Sequence, residues 1–85
     1  MSVITAPPAP DTLRDFMVAC RDRIGASQEQ VAVTVGVSGR HYGALERGRV
    51  RKPNPVLLTR VAEVLRMSQD EQDRMRDLLE ALPAA

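Results

Sequence analysis

This 85-residue sequence has almost none of the residues that build redox, metal or disulfide chemistry: one cysteine, Cys20, and one histidine, His41. A single thiol cannot close an internal disulfide, and one Cys with one His is too few for a zinc site of ordinary ligand number. No metal and no cofactor is therefore expected, and the lone thiol fits a reducing cytoplasm. Long apolar runs are also missing. The apolar stretches break every few residues, which excludes a membrane-spanning helix and a secretory signal core. No strand-type alternation and no internal repeat occurs, and no Gly-rich phosphate loop follows a strand. No Ser/His/Asp or paired-carboxylate set has enough members for catalysis, and a chain this short leaves no room for a cleft between lobes. An enzyme is not expected.

What is present suits one small folded domain. Hydrophobic residues make up 44% and charged residues 27%, so the chain can bury a modest core beneath a well-solvated surface. The net charge of +1 hides a marked asymmetry. Residues 1–37 carry −1 and residues 53–85 carry −2, whereas residues 38–52 carry +4. That middle segment holds Arg40, Arg47, Arg49, Arg51 and Lys52 against Glu46 alone. A basic segment in an otherwise slightly acidic molecule is what local contact with a polyanion requires.

The pattern along the chain predicts an all-α fold. Residues 1–10, with Pro7, Pro8 and Pro10, read as a flexible tail ahead of a domain over 11–83. A first helix is expected from about Asp11 to Ile24, because Leu13, Phe16, Met17, Cys20 and Ile24 fall on one helical stripe and Gly25 can end it. Ser27 and Gln30 form a capping box for a second helix over about Gln28 to Val35. Gly36 breaks it, and Ser38 caps a third helix of about Gly39 to Arg47, closed by Gly48. Asn54, with Pro55 behind it, opens a fourth helix to about Arg66, whose apolar face is Leu57, Leu58, Val61, Ala62 and Leu65. Ser68 and Glu71 box the start of a fifth, with Met75, Leu78, Leu79 and Leu82 facing inward until Pro83.

Residues 28–47 carry the most information. Ala32 is small where two short helices must cross closely, and Gly36 can take the positive φ of a tight turn without a Cβ penalty. Val31, Val35, Val37, Tyr42 and Leu45 are apolar where both helices would lock onto the core. An Ala-x-x-x-Gly spacing with those five positions is a fairly specific signature of a helix-turn-helix.

Here the chain resembles the phage repressor and Cro family, the xenobiotic-response-element class of helix-turn-helix domains. The matching stretches are Ser27-Gln28-Glu29-Gln30-Val31-Ala32, Val35-Gly36-Val37-Ser38 and Leu45-Glu46-Arg47-Gly48. The likeness runs from about Leu13 to Leu82 and includes a compact five-helix layout. The Pro-Asn-Pro segment and the Met-Ser-Gln-Asp-Glu start of the last helix also look like the amino-terminal domains of MmyB-type regulators. A larger ligand-sensing domain follows in those, and none lies within this sequence.

The resemblance implies double-stranded DNA as partner and a role in transcription regulation, as repressor rather than activator, with the third helix in the major groove. With Tyr42 and Leu45 inward, the outer face of that helix carries Arg40, Gly43, Ala44 and Arg47, flanked by Gly39 and His41, just after the Ser38 cap. Arg40 is the leading base reader, since a guanidinium can bond guanine through two hydrogen bonds. Gln28 matches a family glutamine that contacts the DNA backbone, beside a helix N-terminus that attracts phosphate. Arg47, Arg49, Arg51 and Lys52 would clamp phosphates. Glu46 matches an acid that the family pairs with a base of the first helix, here Arg21, as a structural brace. Gly39, Gly43 and Ala44 depart from the family by offering few hydrogen-bonding arms. That leaves room for thymine-methyl contact at Ala44, close helix approach, or readout of DNA shape. Tyr42 replaces an aliphatic residue, so its hydroxyl is expected to reach the surface. Specificity is expected to need a homodimer on a pseudo-palindromic site, with an apolar edge of the last helix available to the partner. Two other readings stay open: a protein-interaction module that kept the fold and lost DNA, and the antitoxin or sensor-regulated half of a larger system.

Overall fold

Thr12, Ser27, Ser38, Asn54 and Ser68 each accept a backbone N–H at the start of a helix. They open the five helices of a computed structural model, which describes residues 12–50 and 52–82. These are α1 (Leu13–Ile24), α2 (Gln28–Val35), α3 (Gly39–Glu46), α4 (Pro55–Val64) and α5 (Gln69–Glu80), and the described residues include no strand. The expected tail, the Asp11 start of α1, Arg51 and the Pro83 stop lie outside the described residues. Both capping boxes form. Ser27 N donates to Gln30 Oε1 at 2.8 Å while Gln30 N donates to Ser27 Oγ at 3.1 Å. Ser68 N donates to Glu71 Oε1 at 2.9 Å while Glu71 N donates to Ser68 Oγ at 3.2 Å. Each cap satisfies donors that have no partner inside the helix.

α2 packs between α3 and α4, and α1 packs on α3 and on α5. The core is correspondingly drawn from every helix: Met17 and Cys20 of α1, Val31 and Ala32 of α2, Tyr42 and Leu45 of α3, Val61 of α4 and Met75 of α5 are all buried. Leu65 and Met67, in the link from α4 to α5, complete it. Met75 meets the inward expectation for α5, but Leu78, Leu79 and Leu82 are only partly buried. They pack against the core at its rim.

One side chain ties three elements together. The Arg23 guanidinium donates to Glu71 Oε2 at 2.5 Å and to the carbonyls of Leu65 and Arg66 at 3.0 and 3.2 Å. α1 thereby caps the carbonyl end of α4 and fixes the N-terminus of α5. At the end of α3, Gly48 has a φ of +74°, and a Cβ there would lie 2.7 Å from Leu82 Cδ2. Glycine suits both the turn and this contact with Leu82, two residues beyond α5.

Candidate nucleic-acid interface

The turn between α2 and α3 forms where the Ala-x-x-x-Gly spacing placed it. Gly36 has a φ of +85°, and Gly36 N and Val37 N both donate to Ala32 O at 2.9 Å. The double bond to one carbonyl reverses the chain within two residues and seats Val37, half-buried, on the core. Ser38 Oγ then takes His41 N at 3.0 Å and starts α3. Tyr42, Leu45 and Glu46 hold α3 from behind, all with exposure of 1% or less. Arg40 and Arg47 stand exposed on the outer side, with Ala44 half-exposed between them.

The buried Glu46 is the centre of a small network. Arg21 Nε donates to Glu46 Oε2 at 2.5 Å and Arg21 Nη2 to Glu46 Oε1 at 3.2 Å. Arg21 Nη1 also reaches Ala26 O at 3.1 Å. Gln28 Nε2 donates to the same Glu46 Oε1 at 2.9 Å. The Arg21–Glu46 brace implied by the family likeness is therefore formed, and Gln28 is its third member. Glu46, chiefly by hydrogen bonding, holds the Arg21 guanidinium above its ordinary pKa. Removing Arg21 would strand the buried Glu46 carboxylate, a loss of about 3–5 kcal/mol.

Tyr42 corrects one expectation. Its hydroxyl does not reach the surface: the residue has 0% exposure, and its oxygen has no hydrogen-bond partner among the described residues. Burial first, and then the neighbouring Glu46 carboxylate, push the phenol far above its ordinary range, so it stays neutral.

The remaining candidate residues fall into distinct places. Gly39 is half-buried and His41 exposed. Arg49 and Lys52 are exposed in the α3–α4 loop, and Arg51 lies outside the described residues. Gly43, expected on the open outer face, is buried. A Cβ on it would lie 3.1 Å from Arg47 Nη1 and 3.3 Å from Gln28 Oε1, so these two side chains fold over the gap that glycine leaves. Sequence reasoning missed Arg60. It belongs to α4, outside the basic segment, and only the fold brings its Nη1 to 4.0 Å from where a Cβ on Gly36 would stand. Spacing along the chain carries no signal for that approach.

A family model described as a helix-turn-helix domain matches residues 7–75. The chain belongs to that family, one of Cro-type, xenobiotic-response-element DNA-binding domains. Neither the comparison with curated proteins nor that with solved structures returned a match. DNA is thus the partner that the family defines, and transcriptional regulation the setting in which such domains work. Such families are not enzymes as a rule. Among the described residues no helix is long and apolar enough to cross a membrane.

Proposed function

We propose that this domain binds specific duplex DNA sites with α3 in the major groove, and acts as a cytoplasmic transcriptional repressor in homodimeric form. The observation that carries this reading is the outer ridge of α3, where Arg40 and Arg47 project from a helix fixed from behind by Tyr42, Leu45 and Glu46. A rigid helix with exposed cations is what groove docking needs.

Arg40, in the first turn, reads guanine through two hydrogen bonds. Ala44 meets a thymine methyl, and Gly39, whose absent side chain would face Glu29, keeps the start of α3 slim beside the groove. Ser38 spends its oxygen on the cap, so its part is to aim the positive end of α3 at the groove. His41 meets the backbone from one flank. Gln28, Arg47, Arg49, Arg51 and Lys52 hold phosphates and set the register, with Arg47 and Gln28 acting together across Gly43. Two copies on half-sites about 34 Å apart supply the specificity that one copy lacks.

Selection of bound duplexes from a random library tests this directly. A symmetric consensus with two half-sites is expected, and a reporter with that site over its promoter should lose expression when the protein is present. Equal affinity for every duplex would overturn sequence specificity. Activation of the reporter would overturn repression.

A further inference from the structure

The ridge of α3 has two different shoulders. At about 100° per residue, His41 and Gly43 lie about 160° apart around the helix, on opposite flanks of the line from Arg40 through Ala44 to Arg47. On the Gly43 flank stand Arg47 Nη1 and Gln28 Oε1. On the His41 flank, α3 faces the Gly36 turn and the start of α4 across a cleft lined by His41, Asn54, Val56 and Arg60, and no carboxylate of the described residues lines that cleft.

Arg60 differs here from the arginines that brace the fold. Arg21 is bound to Glu46 and Arg23 to Glu71. Arg60 is exposed, and its guanidinium has no hydrogen bond or ion pair among the described residues. Its guanidinium lies beside Gly36, where the missing side chain leaves the turn low. Asn54 spends its Oδ1 on capping α4, accepting Val56 N at 2.8 Å, so its amide N–H groups remain as donors next to Arg60.

The dimensions of DNA give this placement a consequence. The major groove is about 12 Å wide and walled by one sugar-phosphate backbone on each side. An α-helix with its side chains is about 10–12 Å across. A helix lying in that groove fills it, so its two flanks meet different strands. We propose that Arg60, with Asn54 and His41 beside it, binds a backbone phosphate on the strand across the groove from the one held by Arg47. The inference rests on α3 being the groove helix. A phosphate clamp on each wall fixes the roll of α3 about its own axis, which a clamp on one wall cannot do, and so aims Arg40 at one base.

Salt titrations on the selected site and on scrambled DNA test it, for the parent, Arg60→Ala, Arg60→Lys and Arg47→Ala. Arg60→Ala should melt with the parent, because it breaks no bond within the protein. It should reduce the slope of log K against log salt by about 0.9, so that its deficit in affinity is about 3.5-fold larger at 50 mM than at 200 mM salt. Arg60→Lys should recover most of that slope. Duplexes with a single neutral methylphosphonate, moved along each strand in turn, then locate the contact. The phosphate whose neutralisation weakens the parent but not Arg60→Ala should lie on the strand opposite the one that behaves so for Arg47→Ala. An unchanged slope for Arg60→Ala, or both phosphates on one strand, would overturn the assignment while leaving DNA binding intact. A parent protein that bound no duplex even at low salt would overturn the groove-helix reading, and this assignment with it.

Discussion

Two glycines of the helix-turn-helix answer to opposite physics. Gly36 is needed for its backbone: at φ +85° any side chain is strained, at a cost on the order of 1–3 kcal/mol. Gly36→Val should lower the melting temperature by several degrees. Gly43 is needed for its emptiness. Its backbone is helical, and a Cβ would meet the ends of Arg47 and Gln28, which need give by only a few tenths of an ångström, so that the Gln28–Glu46 bond can stay. Gly43→Ala should therefore gain roughly 1 kcal/mol of helix stability and raise the melting temperature by about 4–8 °C. It should weaken DNA binding at the same time, because both clamps must move. A variant that melted higher and bound as well as the parent would show that the gap has no part in binding. The sequence marked Gly43 as a weak point on the DNA face, but could not tell that side chains four residues on and fifteen residues back would fill it. Tyr42 was misread for a related reason. Periodicity turns a residue inward, but whether its last atom clears the surface depends on what packs from another helix.

Among the elements, the proposed function divides the work of reading and holding between α3 and the loop after it. Arg40 leaves α3 in its first turn, whereas Lys52 lies beyond the helix, exposed. Arg40→Ala should cost about 1–3 kcal/mol on the selected site and much less on random DNA, flattening preference at one position per half-site. Lys52→Ala should weaken all duplexes alike and reduce the salt slope by about 0.9. Equal weakening of both DNAs by Arg40→Ala would make Arg40 a phosphate clamp. The joint of α1, α4 and α5 gives a different test. Arg23 first, and then the Ser68 backbone N–H, hold the Glu71 carboxyl below its ordinary 4.5. A carboxylate lowered by folding contributes stability that is full above its unfolded pKa and is lost as pH falls through the folded one. Glu71→Gln should accordingly melt below the parent near pH 7, and the two should converge as pH drops below 4.5. A gap that persisted at low pH would assign the loss to the cap's geometry instead of its charge. Caps of this kind were legible in the sequence, since Ser27 with Gln30 and Ser68 with Glu71 are local signals. Arg23's reach to α4 and α5 was not, because it spans the chain.

At the scale of the whole molecule, the partly exposed Leu78, Leu79 and Leu82 form an apolar rim on the fifth helix and its exit. A weak dimer in solution is expected, tightening on a two-fold site. Sedimentation with and without the selected duplex measures this, and one copy on an asymmetric site would rule it out. The basic stretch and the turn could be read from the chain because they are contiguous. Arg60 could not, because its cleft exists only once α4 docks against α2. The packing of α1 on α5, and of Leu82 over Gly48, also bears on how the protein is made. The ribosome delivers the N-terminus first, at about 5–20 residues per second. α2 and α3 therefore emerge while the helix that packs on α1 is still unmade, and the exit of α3 lacks its contact with Leu82. A nascent chain displays its basic segment early, yet it cannot hold the reading helix still. If the protein works as proposed, grip on a specific site comes only with the end of the last helix, and half-made chains do not compete for the same DNA.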